Sequence, residues 1–288
     1  MDALKRLKKA SIRASDIASQ YWCEKQMELN YIYGQKITAE IKKGKEIHGT
    51  LESETNVPII LMPKSYSDSF YKGLYSSLMA LRSLKENGKA REIQVYGSIS
   101  GFKIVGKIDQ LEIRDNEVVV QEDKTRSTDK VPTDAQILTH KVQVMLYKKL
   151  LEDIKKGEYT SEQFKRAFGT STMPLTAEFK RQLQALDVKE QMMNVNAIVD
   201  LFFSAIKELG KISDTLLVRY INQYTGKQTK IEKIYYTEEE MNSILGFIME
   251  YWKGNREAMP VPKDESWKCN YCAFFGKECK VWWPQKAL

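Results

Sequence analysis

Two carboxylic acids and one lysine, Asp109, Glu122 and Lys124, stand near the ends of consecutive apolar segments of the chain. Glu122 and Lys124 are two residues apart, so their side chains lie on the same face if this segment is a β-strand. Carboxylates can hold a divalent metal ion that activates water and stabilises the charge developing on a phosphate, and a neighbouring ammonium group can orient that water. These residue types therefore indicate metal-dependent hydrolysis of a phosphodiester. Acids and lysines at strand ends more often meet only solvent, so the spacing by itself leaves both interpretations open.

A polar stripe follows on the next segment, where Gln136, His140, Gln143 and Tyr147 recur at intervals of four, three and four residues. On an α-helix this spacing places all four side chains on one side, where they could face the metal. An ordinary amphipathic surface helix has the same pattern. His48, one of only two histidines, is a further candidate metal ligand because a neutral imidazole binds many divalent metals.

The four cysteines divide into one near the start of the chain, Cys23, and three near its end, Cys269, Cys272 and Cys279. Residues 1–14 lack the continuous apolar stretch of a secretory signal, which argues against export and therefore against disulfide bonds. Four thiolates instead suit a metal centre that would tie the first helix to the tail. Zinc is usually held by two short pairs of cysteines, so the one-plus-three arrangement favours a 4Fe-4S cluster, with zinc as the alternative.

The composition is that of a single folded domain spanning residues 1–288. Hydrophobic residues make up 42% of the chain and charged residues 29%, and no apolar run approaches the roughly 20 residues that cross a bilayer. A formal net charge of +7 makes a polyanion such as nucleic acid a reasonable partner, although solvated lysine-rich helix faces give the same excess. We expect an intracellular protein, cytoplasmic or, in a eukaryotic cell, nuclear or mitochondrial.

The spacing of apolar residues changes along the chain, from the three- to four-residue repeat of helices to the two-residue repeat of strands and back again. Three helices are predicted first, then three strands with short turns that form an antiparallel meander, then a long helix. A mostly helical segment, 157–212, precedes a hairpin and a last helix. The predicted spans are 15–34, a stretch from 38, 68–87, 92–96, 102–113, 118–124, 133–156, 216–220, 231–236 and 238–252.

Taken in order, these motifs resemble the iron-sulfur members of the RecB-type nucleases, which include the CRISPR-associated exonucleases, and most of all the exonuclease V family. The nuclease motif reads Glu122-Asp-Lys-Thr-Arg126. It is preceded by Val105-Gly-Lys-Ile-Asp109, in which Ile108 stands where the name PD-(D/E)xK expects a proline. The resemblance also covers residues 14–27, 44–48, 91–97, 143–147, 251–257 and 267–269, and it is weakest between about 160 and 210.

The resemblance implies an α/β fold with a restriction-endonuclease-like PD-(D/E)xK core, a mixed central sheet flanked by helices, and a helical insertion at 157–212. It implies that Lys124 orients or activates the attacking water. The residues implied to bind Mg2+ or Mn2+ are His48, Asp109 and Glu122. The residues implied to act in catalysis are Asp109, Glu122, Lys124, Gln143 and Tyr147.

The same resemblance also assigns a role to the four cysteines. It implies that Cys23, Cys269, Cys272 and Cys279 ligate a 4Fe-4S cluster whose role is structural. Residues 1–34 and 252–288 would then form an iron-sulfur clasp that closes the domain.

The resemblance further implies that the chain digests single-stranded DNA from an end, in DNA repair or replication, by threading it through a narrow basic channel. Single-stranded DNA is thus the expected partner, a single-strand-binding protein is a further candidate, and a monomer is the expected state. Two alternatives stay open: a CRISPR-associated exonuclease in spacer acquisition, and a non-catalytic nucleic-acid-binding module. The candidate DNA-binding residues are Lys107, Arg126, Lys130, Tyr71 and Tyr75.

Overall fold

The computed structural model describes residues 1–56 and 59–281, where the chain forms six β-strands and nine α-helices. Residues 282–288, part of the predicted clasp, lie outside the described residues. The strands are β1 (Ile12–Arg13), β2 (Lys89–Ile99), β3 (Phe102–Arg114), β4 (Glu117–Arg126), β5 (Thr215–Asn222) and β6 (Gln228–Tyr235). The helices are α1 (Ala3–Arg6), α2 (Ala14–Tyr33), α3 (Ala39–Thr55), α4 (Tyr66–Asn87), α5 (Asp134–Lys156), α6 (Ser161–Phe168), α7 (Ala177–Ala185), α8 (Val195–Lys207) and α9 (Glu238–Lys253).

Local sequence signals set the ends of the helices that carry candidate site residues. The Thr133 hydroxyl accepts a hydrogen bond from the backbone N–H of Gln136 at 3.4 Å, and the Gln136 side chain accepts one from the N–H of Thr133 at 3.1 Å. This reciprocal capping box satisfies two backbone donors that the start of α5 leaves free. α5 ends at Gly157, whose left-handed backbone (φ 78°) suits a residue without a side chain. Thr38 caps α3 through its hydroxyl, so both predicted helix starts are confirmed.

The strands form one mixed sheet in the order β1–β3–β4–β5–β6, with β2 also paired to β3. β2, β3 and β4 are successive antiparallel neighbours, which confirms the predicted meander, and β5 and β6 form the predicted hairpin. β4 and β5 run parallel because the long helical segment between them carries the chain back across the sheet. The fold is therefore an α/β fold.

Helices flank this sheet. α4 packs along β2, α5 packs against β2, β4 and β5, and α2 packs against α5 and β3. Within the segment 157–212, α8 packs against α4 and α5, so its apolar side belongs to the same hydrophobic core as the sheet. Among the described helices, none is both long enough and apolar enough to cross a membrane.

The β3–β4 ladder stops one step before the two candidate acids. Its last pair is Gln110 with Gln121, although continuing the register would pair Asp109 with Glu122. β4 instead continues beside β5 as far as Arg126, and the earlier part of β3 pairs with β1. The two strands thus separate where the acids lie, and side chains from neighbouring helices can enter there.

A buried charge network holds β4 in place at this level. The Asp123 side chain is 0% exposed and accepts hydrogen bonds from Arg91 on β2 and from Arg219 on β5, the latter at 2.8 and 2.7 Å. Asp123 alternates with Glu122 and Lys124 along the strand, so it points to the opposite face of the sheet. This network fixes β4 against β2 and β5, because removing one partner of a buried ion pair leaves an uncompensated charge.

Candidate active site and cysteine cluster

Asp109 on β3 and Glu122 on β4 lie where the two strands part. Asp109 Oδ2 accepts a hydrogen bond from the backbone N–H of Asp123 at 2.8 Å. This bond satisfies a backbone donor of β4 at a position where β3 and β4 no longer pair. Asp109 is 7% exposed and Glu122 is 3% exposed. Glu122 Oε2 has no hydrogen-bond partner among the described residues. An unpartnered carboxylate oxygen in a buried position is costly, so this atom fits a site that a cation completes.

The environment of these two acids opposes their ionisation. Burial raises the pKa of Asp109 to about 7 and that of Glu122 to about 8. The charge of Asp109 contributes further to the shift of Glu122, whereas the Lys124 ammonium group opposes both shifts. A divalent cation would stabilise both carboxylates as anions, so the pair has the chemistry of a metal site.

Lys124, Gln143 and Tyr147 form a hydrogen-bonded chain beside Glu122. The Lys124 ammonium group donates to Glu122 Oε1 at 2.6 Å and to Gln143 Oε1 at 2.9 Å. The Gln143 amide nitrogen donates to Glu122 Oε1 at 2.9 Å and to the Tyr147 hydroxyl oxygen at 2.8 Å. β4 supplies the acid and the lysine, and α5 supplies the other two. Together with Asp109, the structure brings all five predicted catalytic residues to one place.

The other two members of the α5 stripe hold the helix against the ends of β4 and β5. Gln136 accepts a hydrogen bond from Arg126 Nη1 at 3.1 Å, and His140 Nδ1 lies 2.9 Å from the Tyr220 hydroxyl oxygen. Burial, reinforced by the nearby cations of β4, lowers the pKa of His140 to about 2. Its imidazole is therefore neutral at ordinary pH and acts as a hydrogen-bonding partner rather than a charge.

A further acid, Glu92, joins His48 and Asp109. Their ligand atoms lie within 4.8 Å of one another, and in the described part of the chain this is the one such trio of histidine, cysteine or acidic residues. His48 Nδ1 is 3.5 Å from Asp109 Oδ1 and 3.7 Å from Glu92 Oε1. The Lys107 ammonium group pairs with the other oxygen of Glu92. Since carboxylates and imidazole suit Mn2+ and carboxylates suit Mg2+, Glu92 adds to the predicted set of ligands, which lacked it.

Glu92 also has an unusual backbone. Its φ of 58° lies in the left-handed region, within a strand and on a residue that carries a side chain. Strain of this kind costs on the order of 1 kcal/mol or more and is concentrated at functional sites. Arg91 pairs with Gln110 and Ile93 with Ile108, so Glu92 lies between these pairs at the level of Asp109. A sequence argument could find it only after fixing the turn at Ser100 and Gly101, because the turn sets the register of a hairpin.

The five predicted DNA-binding residues divide into two groups. Lys107 and Lys130 are exposed, and Arg126 is half-buried at the end of β4. Tyr71 is 0% exposed and Tyr75 is 8% exposed, so neither ring offers a face on which a base could stack. The prediction for the two tyrosines is wrong because α4 is covered by both β2 and α8 and buries a wider face than its apolar spacing indicated.

Gly106 on β3 makes room for the ring of Tyr147. A Cβ at this position would lie 2.8 Å from Tyr147 Cε1 and 3.1 Å from a methyl group of Val95. We expect Gly106→Ala to lower the free energy of unfolding by about 1–3 kcal/mol in urea denaturation and to move Tyr147 away from Gln143. Gly246→Ala is the control, because a Cβ there meets nothing within 4 Å and should stabilise α9 by up to about 1 kcal/mol. Unchanged stability of Gly106→Ala would contradict this packing.

The four cysteines, all within the described residues and all free thiols, line one cavity between α2 and the tail. No three of their sulfur atoms lie within 4.8 Å of one another. A tetrahedral zinc ion with bonds of about 2.3 Å would hold its sulfurs roughly 4 Å apart. The cavity thus gathers one thiol from α2 and three from the tail.

The surroundings of two of these thiols oppose their ionisation. Burial raises the pKa of Cys23 and of Cys269, and repulsion from Cys272 and Cys279 adds to both shifts. Cys23 also leaves the helical conformation (φ −168°, ψ 110°), which produces a kink in α2 at this position. Metal binding would deprotonate such thiols and remove their mutual repulsion.

A buried ion pair joins the two ends of the chain beside this cavity. Glu24 is 4% exposed and accepts hydrogen bonds from both terminal nitrogens of Arg256 and from the backbone N–H of Met259 at 2.8 Å. One turn earlier on α2, Gln20 Oε1 accepts a hydrogen bond from Trp252 Nε1 at 2.7 Å. α2 and the end of α9 are thus connected by contacts that need no metal.

Comparison with known proteins points to one family. The sequence profile described as "Exonuclease V - a 5′ deoxyribonuclease" matches residues 1–123, 112–200 and 191–283. Exonuclease V of Danio rerio is 26% identical over 278 residues, which are 94% of this chain and 70% of that protein. The crystal structure of SSO0001 superimposes with a TM-score of 0.42 at 15% identity, covering 94% of this chain and 90% of that one. The residues matched by the profile include the acids of the site and all four cysteines.

Proposed function

Because this chain belongs to the exonuclease V family, we propose that it digests single-stranded DNA from the 5′ end with the help of Mg2+ or Mn2+. Membership of the family makes it a nuclease with DNA as its substrate. The family's description as a 5′ deoxyribonuclease supports the direction. The depth of the acids supports a single strand, since a flexible strand can bring a phosphate to a buried site that a stiff duplex cannot reach. Strands exposed during DNA repair or replication are the proposed source.

The observation that carries the proposal is the convergence of His48, Glu92 and Asp109 on one point beside Glu122, whose Oε2 meets no hydrogen-bond partner in the part of the chain that the structure describes. These four would hold the metal, which when bound supplies positive charge for the phosphate and acidifies a water molecule. Lys124 pairs with Glu122, so ionising both Asp109 and Glu122 without a further cation would be destabilising.

The remaining side chains act on the substrate and on Glu122. The Lys124 ammonium group lies at the rim of the acid cluster, where it can orient the attacking water and stabilise negative charge on the phosphate. Gln143 fixes the orientation of both Lys124 and Glu122 through its amide, and Tyr147 fixes Gln143. Because α5 packs on β4, these groups are positioned before substrate arrives.

We also propose that the four cysteines hold a 4Fe-4S cluster whose role is structural. The arrangement of one cysteine on α2 and three in the tail supports a cluster over zinc, because zinc is usually held by two short pairs of cysteines. The cavity lies between α2 and the tail, so a cluster bound there would connect the N-terminal and C-terminal parts of the domain.

The test of the function uses three forms of one oligonucleotide: labelled at the 5′ end, labelled at the 3′ end, and closed into a circle. With Mg2+ or Mn2+, we expect the 5′ label to be released first as short products and the circle to survive. Protein freed of divalent ions should digest none of the three, and added Mg2+ or Mn2+ should restore activity. Digestion of the circle, or digestion without divalent ions, would overturn the proposal.

A further inference from the structure

We propose that the turn between β5 and β6, together with α3, forms a stacking platform for a single strand next to the active site, with Tyr224 supporting a base and Lys43 contacting the phosphate backbone. This proposal rests on the proposed function, and it adds a contact surface outside the acid cluster. It also replaces the aromatic contacts that the buried tyrosines of α4 cannot provide.

The register of the sheet puts this turn beside the site. β5 pairs with β4 so that Lys124 is across from Tyr220 and Arg126 is across from Asn222. Tyr224 lies in the turn that follows β5, and its neighbour Gln223 contacts Thr125, the residue after Lys124. The turn therefore lies at the same end of β4 as Lys124.

The turn is held rigidly. Asn222 Oδ1 accepts hydrogen bonds from the backbone N–H groups of Tyr224 at 2.8 Å and Thr225 at 3.0 Å. Gln223 is 6% exposed, and its amide nitrogen donates to the backbone oxygen of Glu40 at 2.9 Å and to Thr125 Oγ1 at 3.0 Å. The turn is thus anchored both to β4 and to α3.

The ring of Tyr224 is exposed and makes a cation–π contact with Lys43. Its side chain is 67% exposed, and Lys43 Nζ lies 4.4 Å from the ring centroid. A base can stack on such a ring while the ammonium group meets the adjacent phosphate. Stacking on tyrosine accepts any base, so the platform would hold a strand without reading its sequence.

Two polar atoms on residues that adjoin the turn lack hydrogen-bond partners in the described part of the chain. Gln223 Oε1 and Arg126 Nε are buried, and neither has a hydrogen-bond partner within the described residues. Such atoms are uncommon in folded proteins, and a bound molecule is one explanation for them. Exposed lysines nearby, Lys130 and Lys227, add positive charge around the same surface, and the acid Asp129 is held by Asn222.

The test compares two tyrosines of the same hairpin. Tyr224 and Tyr235 are each 67% exposed, but Tyr235 lies at the far end of β6, across from Thr215. Binding of a short fluorescent single strand of mixed sequence is measured by anisotropy without divalent ions, so that no digestion occurs. We expect Tyr224→Ala to raise Kd about 5-fold or more, as for loss of one stacked base. Tyr224→Phe should bind like the wild type, and Tyr235→Ala should change Kd less than about 2-fold.

The contribution of Lys43 is measured by salt dependence. Lys43→Ala should reduce the slope of log Kd against log salt by about 1, as expected for one lost phosphate contact. Equal Kd values for Tyr224→Ala and the wild type, or equal losses in Tyr224→Ala and Tyr235→Ala, would overturn the platform. Failure of the proposed function is distinguishable, because it would appear as absent or metal-independent digestion by the wild type.

Discussion

Glu122→Gln is expected to lower the rate of single-strand digestion by at least about 1,000-fold, the scale seen when an essential group of an active site is removed. Glutamine keeps the size of the side chain and its contacts with Lys124 and Gln143, but it loses the charge that the metal requires. Digestion of end-labelled strands at saturating Mg2+ measures the effect. Glu112→Gln is the matched control, because this acid lies on β3 in contact with Arg114, away from the site, and its loss should leave the rate unchanged.

The same substitution should have the opposite effect on stability when no metal is bound. Burial raises the pKa of Glu122 from an ordinary value of 4.5 to about 8. Between these two pKa values the folded protein keeps the proton that the unfolded chain loses. The free energy of unfolding therefore has its full value below about pH 4.5 and decreases as the pH rises toward 8. At pH 8 the metal-free Glu122→Gln protein should therefore be more stable than the wild type, by about 1 kcal/mol or more, and equally stable near pH 4. Lower stability of the variant at pH 8 would contradict the account of this acid as a destabilising charge.

Cys272→Ser is expected to remove the brown colour of the anaerobically purified protein and to lower its Tm by roughly 10 °C, because a structural metal centre contributes folding energy directly. Absorbance near 400 nm, iron and sulfide content and thermal unfolding measure the change. The contacts of Glu24 with Arg256 need no metal, so α2 and α9 should stay packed in the variant and the helical content should change little. Colourless wild-type protein with stoichiometric zinc would contradict the iron-sulfur assignment.

Much of the fold could be predicted from the sequence because the signals were local. The caps at Thr38 and Thr133 and the glycine at 157 mark helix ends through hydrogen bonds made within one turn. The meander followed from its short turns, and the pairing of Glu122 with Lys124 followed from the two-residue repeat of a strand. Each of these features depends on residues that are close in the chain.

The parts that could not be predicted depend on contacts between distant elements. Glu92 becomes a candidate ligand only when the register of β2 on β3 is known, and its left-handed backbone has no local signal. Tyr71 and Tyr75 were expected to contact DNA because the covering of α4 by α8 depends on a segment more than 100 residues away, which gives no local signal. Tyr224 was not singled out because nothing in a turn sequence shows that a lysine of α3 will lie over its ring.

The central claim is that buried acids hold a divalent ion that is required for hydrolysis, and Asp109→Asn tests it most directly. Binding of Mn2+ by calorimetry, binding of a single strand and digestion of that strand are measured on wild type, on Asp109→Asn and on Asp115→Asn. Asp115 is the control because it lies in the exposed β3–β4 turn with φ 50°, a conformation that asparagine accepts. We predict that Asp109→Asn still binds the strand but neither binds the ion nor digests, while Asp115→Asn behaves as wild type. Digestion by Asp109→Asn at the wild-type rate would contradict the claim.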